Sequence, residues 1–360
     1  MDADTRRAWV DIDLGALRHN ARLVAARAGV PLLPMVKADA YGLGAVRIAR
    51  ALEPLDVWGF GVATVTEGGE LRAAGIRRPI LVFTSVMPAD FADVRRLALT
   101  PTFGDAGAIG VWAASGGGDW HLAIDTGMSR AGIGWRDAAS LSGLVAQHPP
   151  SGAYTHFHSA ERNNDTLDLQ QARFRDALAA LNVAIPLLHA ENSPAIERQS
   201  PSPWSIARPG VFLYGVGGAE GSALVPRHVA SLRARIVELR TIEAGDTVSY
   251  SATYTAASRR RIATVSCGYA DGYRRALGHR GEALVHGRRA PVSGAVTMDM
   301  TMLDVTEIEC AIGDVATLIG DDGDELLDVN ALARRADLSP YELLVGLRLR
   351  APRRYVRGDA

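Results

Sequence analysis

The first two-thirds of the chain alternates short apolar, β-branched runs with stretches whose apolar residues recur at helical spacing. Runs at residues 32–36, 57–62, 79–83, 99–103, 120–124, 152–157, 186–189 and 206–213 have the length and composition of buried strands. Between most of them, residues 45–52, 66–74, 89–97, 106–114, 137–146 and 166–181 carry the apolar stripe of an amphipathic helix. Eight strands with seven intervening helical or turn segments predict an α/β architecture of the (β/α)8, TIM-like barrel type. A doubly wound sheet would want a glycine-rich phosphate turn after the first strand. Gly42 and Gly44 form neither a GxGxxG nor a P-loop pattern.

After Gly218 the pattern changes. β-branched runs at residues 235–239, 247–255, 262–267, 282–285 and 315–319 follow one another with turns between them, which predicts a mainly β C-terminal domain. The small-residue stretch 215–227 is the expected boundary, giving a barrel domain over residues 1–220 and a mainly β domain over 221–360. One late helix is expected at Ser339-Pro340-Tyr341-Glu342, where a serine cap, a first-turn proline and a reciprocal glutamate coincide.

Composition narrows the function classes. With 360 residues, 48% hydrophobic and 22% charged, the chain can bury a sizeable core in two domains. A formal net charge of −1 leaves no overall field to attract nucleic acid or an anionic membrane, so Arg259-Arg260-Arg261 reads as solvated surface. No run of 18 apolar residues predicts a membrane span, and residues 1–7 lack an apolar signal core, so the cytoplasm is the expected location. Cys267 and Cys310 lie far apart, without metal or redox spacing, and are expected to be reduced and buried.

Lysine usage stands apart. The 39 lysines and arginines include one lysine, Lys37, within Met35-Val36-Lys37-Ala38-Asp39-Ala40-Tyr41-Gly42-Leu43-Gly44. Arginine can carry charge wherever lysine can, but it cannot become a neutral amine nucleophile or form a Schiff base. An arginine-rich composition also leaves an odd lysine by chance, so the count alone weighs the two readings evenly. Position tips the balance. On the expected barrel, Lys37 ends the first strand, His156 the sixth, Ser193 follows the seventh, and Arg208 and Gly210 belong to the eighth. All would meet on the C-terminal rim, where barrel enzymes build their sites. An amine beside a hydroxyl and the Pro209-Gly210-Val211 backbone, which a phosphate could approach, points to Schiff-base chemistry with pyridoxal 5′-phosphate (PLP).

The lysine segment resembles the PLP-lysine signature of the alanine racemase family, of PLP fold type III. The likeness continues in family order through Asp125-Thr126-Gly127-Met128-Ser129-Arg130, Tyr154-Thr155-His156-Phe157, Asn192-Ser193, Arg208-Pro209-Gly210, Val248-Ser249-Tyr250-Ser251, Gly268-Tyr269-Ala270-Asp271-Gly272 and Met298-Asp299. The resemblance implies an amino acid racemase, interconverting L- and D-alanine, or serine or a broader set of amino acids. Lys37 would hold PLP covalently and act as acid and base on one face of the substrate α-carbon. Tyr250 would serve the opposite face, arriving from the β domain of the other subunit of a head-to-tail homodimer. Tyr41, Ser193 and the Gly210-Val211 backbone would bind phosphate, and His156 would lie beside the ring. Arg208 would meet the pyridine nitrogen and Arg130 the ring hydroxyl; Arg130 and the Met298 backbone region are the residues expected on the substrate side.

Three positions depart from the family pattern. A lysine often found as a carbamate is replaced by Ala123, an arginine by Ala295, and a tyrosine that narrows the mouth by Leu349. Loss of two polar mouth residues predicts relaxed preference for small substrates, unless Tyr355 or Tyr341 covers the same ground. Rival readings fit less well. A non-catalytic PLP-binding protein would resemble the barrel alone, and a decarboxylase of this fold type would place a carboxylate where Arg208 stands. A barrel metal hydrolase could use His156, His158 and Glu161 as ligands, but leaves Lys37 and Tyr250 without work. Asp321-Asp322-Gly323-Asp324-Glu325 lacks calcium-loop spacing and reads as a solvated turn.

Overall fold

In the computed structural model, which describes residues 6–347 and 350–357, six parallel strands lie side by side in chain order. They are Phe60–Val62, Ile80–Val82, Thr100–Phe103, His121–Asp125, Gly152–Tyr154 and Leu187–His189. Each falls inside, or within one residue of, an expected run. Their residues are almost wholly buried on both faces, as parallel strands covered by helices must be. The helices Ala45–Leu52, Ala106–Ala114 and Thr166–Leu181 have the expected bounds, and Val65–Ala73 and Phe91–Arg96 lie close to theirs.

The regular ladder does not close into a barrel. Residues 32–36 and 206–213, expected as strands, are joined only by isolated parallel bridges, Leu32 with Ala207 and Met35 with Gly61. Single backbone bonds span the gap, including Leu33 N–H to Ala207 O at 2.8 Å and Met35 N–H to Pro209 O at 2.9 Å. Pro31, Pro34 and Pro209 remove the donors that a continuous ladder would need. Residues Val211–Tyr214 form a 3-10 turn rather than strand. The sheet is thus a curled arc with an irregular seam, and that seam carries Lys37 on one side and Arg208 on the other.

The region beyond residue 229 is mainly β. Its nine-stranded sheet is organised around the long strand Ala230–Ile242, which pairs antiparallel with Arg260–Val265, Val315–Asp322 and Ala8–Asp13. The first strand of the chain therefore lies in this sheet. It also pairs in parallel with the last strand, Arg353–Val356, in the register Val10 to Arg353. Asp13 ends the first strand by capping helix Leu14–Ala28, accepting from Ala16 N–H at 2.9 Å. One apolar core runs from Val10 and Leu17 through Phe60, Phe103 and Phe212 to Leu284 and Leu344. Each such fully buried side chain contributes roughly 1.5–3 kcal/mol relative to exposure, so both halves draw on shared burial. No helix among the described residues is long and apolar enough to cross a membrane.

Helix Pro340–Val345 forms as expected, with Ser339 and Glu342 completing a capping box. It lies against the lysine segment: a Cβ on Gly42 would stand 2.5 Å from the Leu344 carbonyl oxygen.

Candidate active site

A cleft of about 450 Å³ opens where the parallel strands end. Lys37, Tyr41, Arg130, His156, Ser193, Arg208, Gly210 and Val211 all line it. Tyr250 and Met298 do not. They sit on the β region with relative exposures of 72% and 52%. The strand Gly152–Tyr154 stops before both histidines, so they do not alternate on it: His156 lines the cleft, while His158 lies off it, hydrogen-bonded to Ser159 at 2.8 Å.

Lys37 opens a turn of unusual handedness. Ala38, Asp39, Ala40 and Tyr41 have φ between 51° and 56°, a left-handed run of four non-glycine residues. Each such residue costs about 1–2 kcal/mol, so the surroundings must hold the turn in place. Glu67, which caps helix Val65–Ala73, also accepts from Ala38 N–H at 2.8 Å. Asp39 accepts from Ala45 N–H at 2.7 Å and from the Arg353 guanidinium at 2.6 Å. The Tyr355 hydroxyl donates to Leu43 O at 3.0 Å. Here Gly44 is required, since a Cβ would lie 2.0 Å from that hydroxyl. Burial lowers the Lys37 pKa; Arg130 and Arg208 lower it further, and Glu67 partly opposes them. The result is an amine biased toward its neutral, nucleophilic form.

Arg208 is the most constrained cation of the cleft. Its guanidinium donates to Thr155 O at 2.7 Å, Ala190 O at 2.9 Å and His189 Nδ1 at 2.9 Å, with His156 Nδ1 at 3.5 Å. His189 Nε2 lies 2.8 Å from His121 Nδ1, and Tyr154 stacks on His189 with centroids 5.2 Å apart. Burial and the Arg208 charge push His156 and His121 each down to about 3, so both rings stay neutral. Glu191, whose carbonyl accepts from Arg208 N–H at 3.0 Å, is fully buried, and neither carboxyl oxygen has a hydrogen-bond partner within 3.5 Å, the Ser202 hydroxyl and Arg208 being the polar groups that bear on it.

Opposite these cations lies a pocket of donors. Ser193 Oγ accepts from Gly210 N–H at 2.9 Å and Phe212 N–H at 3.3 Å, which leaves its own proton free to face the cleft. Among the described residues the Val211 N–H, at the start of the 3-10 turn, has no partner. A Cβ on Gly210 would come within 2.6 Å of the Tyr41 hydroxyl, so glycine keeps that approach open. A hydroxyl pair, a free turn N–H and the two arginines Arg130 and Arg208 fit an anionic phosphate and a polar ring with an aldehyde facing Lys37. The residues present therefore suit PLP.

At the departures, Ala123 lines the cleft and leaves Arg130 without a hydrogen bond or ion pair among the described residues. Ala295 lies under the Tyr250 segment, its carbonyl accepting from Ser249 Oγ at 2.7 Å. Leu349 lies outside the described residues. Of the two tyrosines that could replace it, Tyr341 lines the cleft and packs 6.3 Å from the Tyr41 ring. Tyr355 does not line it and supports the lysine turn instead. Glu67 and the Asp39–Arg353 pair join the site without being among the residues expected there. The first was visible in Thr64-x-x-Glu67 as a capping box, while the second had no local signal.

Comparison with known proteins agrees with this arrangement. Residues 12–217 match the family model of the alanine racemase N-terminal domain, and residues 229–355 that of the alanine racemase C-terminal domain. An alanine racemase of Halothermothrix orenii is 36% identical over 372 residues, covering 98% of this chain and 97% of the relative. One of Citrifermentans bemidjiense is 38% identical over 385 residues, covering 99% and 100%. The crystal structure of alanine racemase from Streptomyces lavendulae superposes with a TM-score of 0.90 at 31% identity, covering 97% of each chain. That from Bartonella henselae, described with covalently bound pyridoxal phosphate, has a TM-score of 0.90 at 26% identity, covering 98% and 100%.

Proposed function

The chain belongs to the alanine racemase family, and from that premise we propose that it interconverts L- and D-alanine as a PLP-dependent isomerase with active sites shared between two copies. The observation that carries the reading is a division of labour in space. Eight residues from distant parts of the sequence line one cleft, while Tyr250 and Met298 stand exposed outside it. A cleft that lacks its second acid and base in one chain is completed by a homodimer in which Tyr250 of a second copy reaches it.

When bound, PLP supplies the electron sink that makes loss of the α-proton feasible. Lys37 holds the cofactor and afterwards takes or returns a proton at Nζ, for which its burial-lowered basicity suits it. Tyr250 of the second copy moves the proton on the opposite face. Racemisation needs nothing more than acid and base on both sides of one planar carbon. Ser193, Tyr41 and the Val211 N–H bind the phosphate. Arg208, fixed by two carbonyls and two imidazoles, is the residue that would donate to the ring nitrogen, and as a permanent cation it would be no proton source there, which would discourage protonation of the ring and the side reactions that follow. Arg130 meets the ring hydroxyl, and the Met298 backbone of the second copy receives the substrate carboxylate.

Alanine is the substrate favoured over larger amino acids because Tyr341 lines the cleft mouth near Tyr41, where the Leu349 departure had implied a wider one. The free, buried thiols of Cys267 and Cys310 fit a reducing, cytoplasmic setting. The test is incubation of the purified, PLP-loaded protein with single L-amino acids followed by chiral chromatography. D-Alanine should form fastest, with D-serine a poor second. No D-product from any amino acid would overturn the proposal.

A further inference from the structure

The exposed turn at residues 297–300 has an unpaired tip. Thr297 N–H and Oγ1–H both bond Met300 O, at 3.0 and 2.9 Å, and Met300 N–H returns to Thr297 Oγ1 at 3.1 Å. The N–H groups of Met298 and Asp299 have no hydrogen-bond partner among the described residues. Two outward N–H groups suit a carboxylate, yet the tip also bears the Asp299 carboxylate, which would repel one.

Arg350 resolves the conflict. Its guanidinium grips Asp271 with Nε to Oδ1 and Nη2 to Oδ2, both at 2.8 Å, and reaches Asp299 Oδ1 with Nη1 at 2.7 Å. The same Nη2 lies 3.3 Å from Met298 O, which also accepts from Ala270 N–H at 3.1 Å. Asp271 is fully buried, tied as well to Arg7 at 2.9 Å and Gly268 N–H at 2.9 Å, so the anchor is rigid. Asp299 is half-exposed and has this one arginine as its ion-pair partner among the described residues.

We propose that Arg350 is a positioning residue of the substrate-carboxylate site: anchored on Asp271, it neutralises Asp299 and fixes the Met298 carbonyl, so that the tip N–H groups face a substrate without a competing negative charge. The inference rests on the racemase reading and deepens it. It concerns binding of the amino acid, not cofactor capture or proton transfer, which belong to the barrel cleft.

The experiment compares wild-type holoenzyme, Arg350→Gln, and the double variant Arg350→Gln with Asp299→Asn. Arg350→Gln should raise KM for alanine about tenfold with little change in kcat and undiminished PLP incorporation, and the rise should shrink in high salt. The double variant should recover most of the KM, because the repelling charge is gone. An unchanged KM in Arg350→Gln, or a raised KM that Asp299→Asn fails to rescue, overturns the proposal. If Arg350→Gln does not fold, Arg350→Lys retains a cation over both carboxylates: a KM within about threefold of wild type supports the proposal and a tenfold rise defeats it. Failure of the wild type itself to racemise would instead strike the racemase reading.

Discussion

Arg208 donates to Nδ1 of His189 at 2.9 Å, and this contact decides where the protons of a buried imidazole pair reside. With Nδ1 engaged as an acceptor, the His189 proton sits on Nε2 and points at His121 Nδ1, 2.8 Å away. The chain of donors runs outward from the guanidinium, and neither ring has room for a second proton.

Acid should therefore unfold the protein partly through these rings. His121 is held at about 3 against an ordinary 6.5, by burial first and the Arg208 charge second. A base depressed in the folded state leaves stability intact above about 6.5 and removes it as pH falls toward about 3. The expected slope from His121 is up to about 1.4 kcal/mol per pH unit in that window. His121→Asn, which keeps an acceptor opposite His189, should flatten it. Thermal unfolding followed across the window checks this, and parallel pH curves for variant and wild type would refute it.

Glu191 predicts the opposite slope. Burial raises its carboxyl above the usual 4.5, with the Ser202 hydroxyl and Arg208 only partly offsetting that effect. An acid raised in the folded state stabilises below about 4.5 and loses that contribution as pH climbs through the folded value. Glu191→Gln should stabilise the protein at neutral pH by about 1–3 kcal/mol, with the gain fading in acid. Denaturant midpoints at neutral and acidic pH measure it; a destabilised Gln variant at neutral pH would show that the carboxylate is needed.

Lys37→Arg should abolish covalent cofactor capture, because no other amine side chain exists in the chain. Borohydride treatment followed by denaturation should leave no PLP on that variant, and a retained label would overturn the assignment. In the wild type, Arg130 helps to depress the Lys37 amine. Arg130→Gln should shift the acid limb of PLP capture by the cofactor-free protein upward, by up to about one pH unit. A limb that moves down or stays put counts against the electrostatic role.

Shared sites make a distinct prediction for mixtures. Chains carrying Lys37→Ala and chains carrying Tyr250→Phe should each be inactive alone. Unfolded together and refolded, they should regain about a quarter of wild-type activity, because half of the dimers are mixed and each of these holds one intact site. If Tyr250 served its own chain, no mixed dimer would contain an intact site and activity would stay absent.

Much of the site was legible because its residues lie at the ends of short apolar strands or in the turns just beyond, and the strand signal alone put Lys37, His156, Ser193 and Arg208 on one rim. The irregular seam was less legible. Residues 32–36 and 206–213 have strand composition, but Pro31, Pro34 and Pro209 interrupt the donors, an effect that a hydrophobicity pattern does not register. The strand Ala8–Asp13 leaves little local signal, because its partners are Ala230–Ile242 and Arg353–Val356, far along the chain. Nothing in the residues around Arg350 marks its role. Its meaning depends on two aspartates 79 and 51 residues away, and no local pattern announces such a meeting.

The left-handed turn after Lys37 is held by Arg353 and Tyr355, whose contacts to Asp39 and Leu43 span 314 and 312 residues. During synthesis, the segment that is to capture the cofactor emerges first and the groups that hold its shape emerge almost last. Until then only the earlier contacts, Glu67 to Ala38 N–H and Asp39 to Ala45 N–H, hold the strained turn. The full set of contacts that shapes the lysine turn is thereby complete only with the C-terminal strand, so a chain truncated before Arg353 should retain the cofactor less well than the whole chain, as its absorbance after gel filtration would report.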